Sequence, residues 1–273
     1  MVNSRISRLA TATVGAAALA FSVQPGANAV LPQDDIPTFQ EFRAATFQDV
    51  GGQYVVNGDE TISSTKKLRD YYDSMVRKQD SGSTSLVVNT VGGADDVWSA
   101  GQAGALTYCV SDRFGADKAN VVAAMNEGVG QWEAASGGVD FVHVTSADAS
   151  CTVSNSSVLF SVEPTSTTQY IARAFFPSSP DSQRNVLVNA ASLMSSGSWT
   201  PGNIMAHELG HTLGFRHEHT RPEAGTCFED NSWRPLTPYD AASIMHYPQC
   251  NGSSSDLSMT ETDRAGVRSV YGS

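Results

Sequence analysis

Residues 207–217 read His207-Glu208-Leu209-Gly210-His211-Thr212-Leu213-Gly214-Phe215-Arg216-His217, which is the pattern HExxHxxGxxH. On a helix, His207 and His211 lie four residues apart and project from one face, so both imidazoles can reach one metal ion. Gly214 can adopt a positive φ that ends the helix and lets His217 return as a third ligand. Three histidines leave a fourth position open for water, as in catalytic rather than structural zinc sites.

The residues around these histidines predict the cofactor and a catalytic group. Neutral imidazoles suit Zn²⁺ and do not cancel its charge, so a bound water becomes acidic. Glu208 follows the first ligand and can act on that water as general base without being a ligand itself. We expect His219 to hydrogen-bond or pack, because a fourth ligand would close the site. His143 stands alone on a predicted strand and is expected to be structural.

A second motif follows about thirty residues later, at Ser243-Ile244-Met245-His246-Tyr247. Alone it would indicate a strand end with a buried methionine, but beside the zinc motif it resembles the Met-turn of metzincins. The two motifs together resemble the astacins, whose signature HExxHxxGFxHEHxR and Met-turn SxMHY are both matched. The resemblance implies that Tyr247 is a displaceable fifth zinc ligand, Met245 a hydrophobic floor, and Glu218 the partner of the mature N-terminus. Residues 222–225 differ from animal astacins, which indicates a divergent, bacterial-type member.

The rest of the chain predicts an α+β fold. The expected elements before the motif helix are a helix at 117–135 and strands at 106–110, 139–144, 158–162, 171–176 and 185–189. A capped helix from Thr260 closes the chain. Together with the resemblance, this predicts a metzincin-like zinc peptidase domain over residues 97–273. Its expected parts are a twisted, mostly antiparallel-edged sheet, an active-site helix and a C-terminal helix.

The N-terminus has the pattern of a secretory signal peptide over residues 1–29. A basic start is followed by an apolar stretch at 9–23, too short to span a bilayer, and by a small-residue cleavage site at 27–29. A short membrane anchor is the alternative. Export agrees with four cysteines, which allow two disulfides in three connectivities. We favour Cys109–Cys151 and Cys227–Cys250, since each stays within one half of the chain; zinc-binding thiolates would need closer spacing.

Residues 30–96 are expected to form a small pro-segment and an exposed linker. The predicted elements are a strand at 53–56, a turn at 57–59, a helix at 66–79, and a Ser/Gly-rich linker at 80–96. Astacin pro-segments carry FxGD, whose aspartate binds and blocks the zinc, and residues 56–59 read VNGD. The resemblance therefore makes Asp59 a zinc ligand of the zymogen alone. An ordinary Asn-Gly-Asp turn is the alternative.

Composition restricts the partners. The 273 residues are 40% apolar and 16% charged, with a net charge of −11 and only four lysines. Such an acidic chain argues against nucleic acid or an anionic membrane as the main partner. We therefore expect a secreted zinc endopeptidase, made as a zymogen, that acts on proteins or peptides and binds extended substrate along the strand at 171–176. A non-catalytic zinc-stabilised binding module and a zinc hydrolase of a non-peptide amide are the alternatives.

Overall fold

The computed structural model describes residues 37–76 and 85–273. The helices in this part are α1 (Phe39–Ala45), α2 (Thr65–Met75), α3 (Ala100–Ala103), α4 (Lys118–Ala135), α5 (Ala190–Leu193), α6 (Pro201–Thr212) and α7 (Glu261–Tyr271). The strands are β1 (Phe47–Gln48), β2 (Tyr54–Val56), β3 (Glu60–Ile62), β4 (Ser85–Val91), β5 (Ala94–Asp95), β6 (Leu106–Val110), β7 (Phe141–His143), β8 (Phe160–Pro164), β9 (Ala172–Arg173), β10 (Asn185–Val188) and β11 (Trp233–Thr237). The predicted signal peptide lies outside the described residues.

A five-stranded sheet in the order β7-β6-β8-β10-β9 forms the centre of the fold. The pairs β7–β6, β6–β8 and β8–β10 are parallel, and β9 runs antiparallel to β10 at one edge. The α+β prediction is confirmed, and the antiparallel edge that we expected is found at β9. The strands predicted at 106–110, 139–144, 158–162 and 185–189 are present and pair with one another in parallel. Short apolar runs do not specify strand direction.

Helices α4 and α6 pack against this sheet and against each other. Their apolar side chains, including Met125, Trp132 and Leu209, share one core with strand residues such as Val186. The Trp132 indole donates a hydrogen bond to the carbonyl of Ala206 at 2.7 Å, which ties α4 to the motif helix. The helix predicted at 117–135 is therefore α4, and it packs against the helix that carries the histidine motif.

Residues 85–96 correct one prediction. We expected an exposed linker at 80–96, but residues 86–88 are buried and β4 pairs with β11 and β5. Most residues at 80–96 are polar, which led to the linker prediction. The stretch nevertheless contains three consecutive apolar residues, Leu86-Val87-Val88, and these are buried in the core. Strand β4 also contacts the motif directly, because the N–H of Arg216 donates to the carbonyl of Val87 at 3.0 Å.

The segment from Pro37 to Val76 has its own small core. Helices α1 and α2 and the sheet β1-β2-β3 enclose a cluster formed by Phe39, Tyr54, Val56, Leu68 and Tyr71. The Ser64 side chain caps α2, as its position before the apolar stripe suggests, but the helix ends at Met75 instead of residue 79. Residues 37–273 belong to one compact unit, so this segment is part of the main body of the fold.

Both favoured disulfides, Cys109–Cys151 and Cys227–Cys250, are present. Among the described residues, every helix is too short or too polar to cross a bilayer.

Candidate metal centre

Helix α6 sets the spacing of the first two histidines. The Thr200 side chain accepts from the N–H of Asn203, and Pro201 begins the first turn, so the helix starts with its donors satisfied. His207 and His211 then lie one turn apart and are both buried. The helix ends at Thr212. His207 and His211 therefore lie on one face of α6, as the spacing of the motif predicts.

Gly214 turns the chain after the helix. Its φ is +95°, a conformation that residues with side chains rarely adopt, and a Cβ there would overlap the carbonyl of Asp96. The chain then runs back along β4, and His217 is brought beside the two helical histidines. The expected role of this glycine in ending the helix agrees with the geometry.

The three imidazoles direct their Nε2 atoms into one space. The Nδ1 atoms donate elsewhere: His207 to the carbonyl of Ile244 at 2.7 Å, His211 to the carbonyl of Phe215 at 2.9 Å, and His217 to a carboxylate at 2.6 Å. Because Nδ1 carries the proton, Nε2 keeps its lone pair. The Nε2 atoms of His207 and His217 are 3.2 Å apart.

These residues fit a zinc ion. The Nε2 of His211 is buried and has no hydrogen-bond partner among residues 37–76 and 85–273, although an orphaned polar atom in a protein interior is costly. Burial lowers the pKa of His207 to about 4, which keeps that imidazole neutral at ordinary pH. Three imidazoles with their second nitrogens bound to acceptors are the donor set and orientation that zinc prefers.

Asp59 lies at the same point. Its Oδ1 is 3.1 Å from Nε2 of His217 and 3.5 Å from Nε2 of His211, and its Oδ2 is 3.2 Å from Nε2 of His207. The four donor groups lie within 4.8 Å of one another. The hydroxyl of Tyr247 donates to Oδ2. Gly58 has a φ of +106°, a conformation that residues with side chains rarely adopt, and it lies in van der Waals reach of that hydroxyl.

Glu208 lies beside the cluster without joining it. It is buried, and its Oε2 has no partner among the described residues. Burial raises the pKa of this carboxyl well above its usual value, and the charge of Asp59 raises it further. Beneath the histidines, the Met245 sulfur is 2.5 Å from the place where a Cβ on Gly210 would stand. The Met245 side chain therefore packs directly against α6 at Gly210, between the two helical histidines in sequence.

Comparison with known proteins identifies the family. The sequence profile of the peptidase M57 family, described as dual-action HEIGH metallo-peptidase, matches residues 102–271, more than half of the chain. The chain belongs to this family. The expected enzyme class, a metallopeptidase, is therefore confirmed at the level of the family. The matched region includes the three histidines, Glu208 and Tyr247, and excludes Asp59.

Shorter matches connect this metallopeptidase to the astacins, as the two motifs led us to expect. It is 41% identical to zinc metalloproteinase nas-30 of Caenorhabditis elegans over 63 residues, 16% of this chain and 8% of the relative. It is 34% identical to astacin-like metalloprotease toxin 2 of Loxosceles intermedia over 94 residues, 27% of this chain and 36% of the relative. These matches span well under half of the relatives' own lengths.

Among solved structures, the metallopeptidase is similar to myroilysin, with a TM-score of 0.47, 18% identity, and coverage of 68% of this chain and 98% of that one. It is also similar to high choriolytic enzyme 1 of Oryzias latipes, a hatching enzyme zinc-protease, with a TM-score of 0.41, 19% identity, and coverage of 64% and 94%.

Glu229 contacts the histidine cluster, and sequence reasoning missed it. Its carboxylate accepts from Nδ1 of His217 and pairs with Arg216 at 3.0 Å and with Nε2 of His219 at 3.3 Å. Burial alone would raise the pKa of Glu229, but His217 and these hydrogen bonds hold it below its usual range. Such a carboxylate orients a ligating histidine. One feature of the sequence could have indicated this role: Glu229 lies two residues after Cys227, whose predicted disulfide partner Cys250 follows the Met-turn closely.

His219, His143 and Glu218 lie outside the group of three converging histidines. The ring of His219 stacks on that of His217 with centroids 4.6 Å apart, which agrees with a packing and hydrogen-bonding role. His143 bonds Asp148 at 3.0 Å at the far end of the sheet. Glu218 is fully buried, its Oε1 accepts from the N–H of Asp240 at 3.2 Å, and its Oε2 has no partner in the described part of the chain.

Proposed function

We propose that this chain is a secreted zinc endopeptidase that is made as a zymogen. The observation that carries the proposal is the convergence of three buried Nε2 atoms next to the unpaired carboxylate of Glu208. A binding module stabilised by zinc would have no use for a buried, unpaired carboxylate at that point, because leaving it unsatisfied costs stability.

Glu208 is the proposed general base. Zinc held by His207, His211 and His217 would acidify a water molecule and polarise the substrate carbonyl. The Glu208 carboxylate takes a proton from the attacking water and delivers it to the leaving amine nitrogen. Burial raises the pKa of this carboxyl, and a raised pKa is the direction that favours a group which first accepts and then donates a proton.

Tyr247 is the proposed donor to the substrate carbonyl oxygen. Its hydroxyl points at the position that Asp59 occupies among the histidines. When Asp59 leaves, the same hydroxyl can donate to the oxygen on which negative charge develops. The hydroxyl oxygen of Tyr247 would also be the atom that binds zinc as a displaceable fifth ligand.

The proposed substrate strand is β9 with the residues that follow it. In the full-length chain this edge is taken by the pro-segment: the N–H of Ala174 donates to the carbonyl of Asp59 at 3.2 Å, and the Thr61 hydroxyl donates to the carbonyl of Ala174 at 3.1 Å. An extended substrate would use the same groups by β-addition, so substrate and pro-segment exclude each other.

Processing is proposed to cut before Ser85. Strand β4 belongs to the peptidase body, so the cut falls between Val76 and Ser85 instead of anywhere up to residue 97. Ser85 pairs with Thr237, and a chain starting a few residues earlier would begin near Asp240, whose N–H contacts Glu218. The unpaired Oε2 of Glu218 would then accept the new N-terminal amine, as the astacin resemblance implies.

Casein cleavage by the processed protein tests this function. We expect wild-type activity that a chelator abolishes and that zinc restores. Glu208→Gln should keep fold and zinc content but lose about 10²–10⁴-fold in rate, because general-base catalysis is worth that much. Glu223→Gln, at a partly exposed carboxylate away from the histidines, is the matched control and should stay active. Full activity of Glu208→Gln with zinc bound would refute the mechanism, and inactivity of the wild type on every peptide would favour a binding module or a non-peptide substrate.

A further inference from the structure

The side chain of Arg173 is held in a fixed orientation on the edge strand β9 and is 0% exposed. Its Nη1 donates to the main-chain and side-chain oxygens of Asn185 at 2.6 and 2.7 Å. Its Nε and Nη2 both donate to Oδ2 of Asp49, at 2.9 and 2.6 Å. Asn185 thus orients the guanidinium and leaves the Nε–Nη2 edge facing a carboxylate, the arrangement in which arginine recognises carboxylates most strongly.

The origin of this carboxylate sets Arg173 apart. Every other lysine and arginine in residues 85–273 forms an ion pair with a carboxylate from that same stretch. Asp49, the acidic partner of Arg173, belongs to the proposed pro-segment. Removal of that segment would leave the guanidinium bonded to Asn185 alone. Because an unpaired charge in a partly dry site is costly, the position favours a new carboxylate.

Arg173 also lies next to the groups that would handle the substrate. The following residue, Ala174, contacts the pro-segment on both sides of its peptide unit: its N–H donates to the carbonyl of Asp59, and its carbonyl accepts from the side-chain hydroxyl of Thr61.

We propose that, once the pro-segment is removed, Arg173 binds an acidic side chain of the substrate and gives the enzyme a preference for Asp or Glu close to the cleaved bond. Asp49 occupies the place of that side chain in the precursor. The proposal rests on the endopeptidase function proposed above, and it names the substrate class for that site.

The test uses processed enzyme and paired peptides that differ by Asp or Asn at each of three positions on either side of the cleaved bond. At one position we expect kcat/KM to be about 10- to 100-fold higher for Asp, the range expected when a charged, hydrogen-bonding site loses its partner. Arg173→Gln should remove this ratio while the Asn peptide is still cleaved, and Arg173→Glu should favour Lys at the same position. Arg113→Gln, at an exposed arginine paired with Glu163, is the control and should keep the ratio.

The outcomes separate the two proposals. Wild-type enzyme that cleaves neither peptide contradicts the endopeptidase function, whereas equal cleavage of both contradicts only the acidic preference. Equal loss of rate on both peptides in Arg173→Gln would make the residue structural and would also overturn the inference. Since Asp49 would be left buried and unpaired in the Arg173→Gln precursor, the variant should also be made as Asp49→Asn/Arg173→Gln. Binding of the Asp peptide to processed Glu208→Gln, with and without Arg173→Gln, provides a readout without turnover.

Discussion

Tyr247 is held in place by its neighbours. Its ring stacks on His207 with centroids 5.3 Å apart and an interplanar angle of 10°, and it also stacks with Trp199 with centroids 6.2 Å apart. Its main-chain N–H donates to Nδ1 of His219 at 3.3 Å. Burial raises the pKa of the phenol well above its usual value, so it remains a proton donor at neutral pH. A hydroxyl held in this way is suited to donate to a developing negative charge.

Tyr247→Phe should therefore lower kcat of the processed enzyme by about 10²-fold or more and change KM little, because the lost hydrogen bond forms in the transition state. Zinc content should be unchanged, since three histidines remain. The measurement is steady-state kinetics on one fluorogenic peptide, with metal analysis of the same sample. Tyr239→Phe, which removes a hydroxyl bonded to His246 at 2.8 Å, is the control. An unchanged kcat in Tyr247→Phe would reduce this residue to a packing role.

At the scale of the elements, the closeness of α4 and α6 positions the histidines. Gly128 on α4 faces the backbone of α6, and a Cβ there would stand 2.7 Å from the nitrogen of Ala206 and 3.0 Å from the carbonyl carbon of Met205. These are main-chain atoms directly before His207, so they cannot move aside as a flexible side chain can. The two helices approach this closely only because residue 128 has no side chain.

Gly128→Ala should lower the free energy of unfolding by about 1–3 kcal/mol, the usual cost of overpacking a core. Gly130→Ala in the same helix is the matched control: its Cβ would meet nothing within 4 Å, so better helix propensity should raise stability by up to about 1 kcal/mol. Urea unfolding of both variants, followed by circular dichroism, measures the difference. Equal effects at the two positions would show that α4 and α6 can separate without cost.

At the scale of the whole molecule, the first described segment is attached to the peptidase body at three charged points. Asp59 lies among the histidines, Asp49 pairs with Arg173, and Glu60 pairs with Arg216 at 3.2 Å. All of these side chains are buried. Because the same segment takes the β9 edge, it covers both the proposed metal and the proposed substrate strand, which is the arrangement expected of an inhibitory pro-segment.

Full-length Asp59→Ala should consequently be active before processing, or process itself early, whereas the full-length wild type should be silent. The carboxylate is intramolecular and therefore competes at high effective concentration with water or substrate for the metal. Both precursors are compared on one fluorogenic peptide, and N-terminal mass spectrometry locates the cut. Asp70→Ala, at an exposed carboxylate paired with Lys66, is the control. If Asp59→Ala and wild-type precursors are equally active or equally silent, Asp59 is only a turn residue.

Short-range spacing is sufficient to predict much of this protein. The four-residue interval between His207 and His211 places both on one helical face, and Gly214 requires only local backbone freedom, so the structure brings together the histidines that the motif indicates. Local sequence also predicts helix α4, the α+β class and the caps of α2 and α7, because each depends on residues that are near neighbours in the chain. The match at residues 56–59 identified Asp59, but only the folded chain brings it across 148 residues to His207.

Other features depend on contacts between segments that no local pattern connects. The linker prediction for β4 was wrong because the strand pairs with β11 at residues 233–237 and packs against α7, and neither contact is visible in the local sequence. Strand direction in the main sheet depends on which edges meet, since alternation and apolar content are alike for both directions. The pairing of Arg173 with Asp49 spans 124 residues, and the bond from His217 to Glu229 spans a segment that includes two short 3-10 helices, Glu218–Thr220 and Pro222–Ala224. A charged residue in sequence is usually solvated, and only tertiary structure decides which ones are buried and paired.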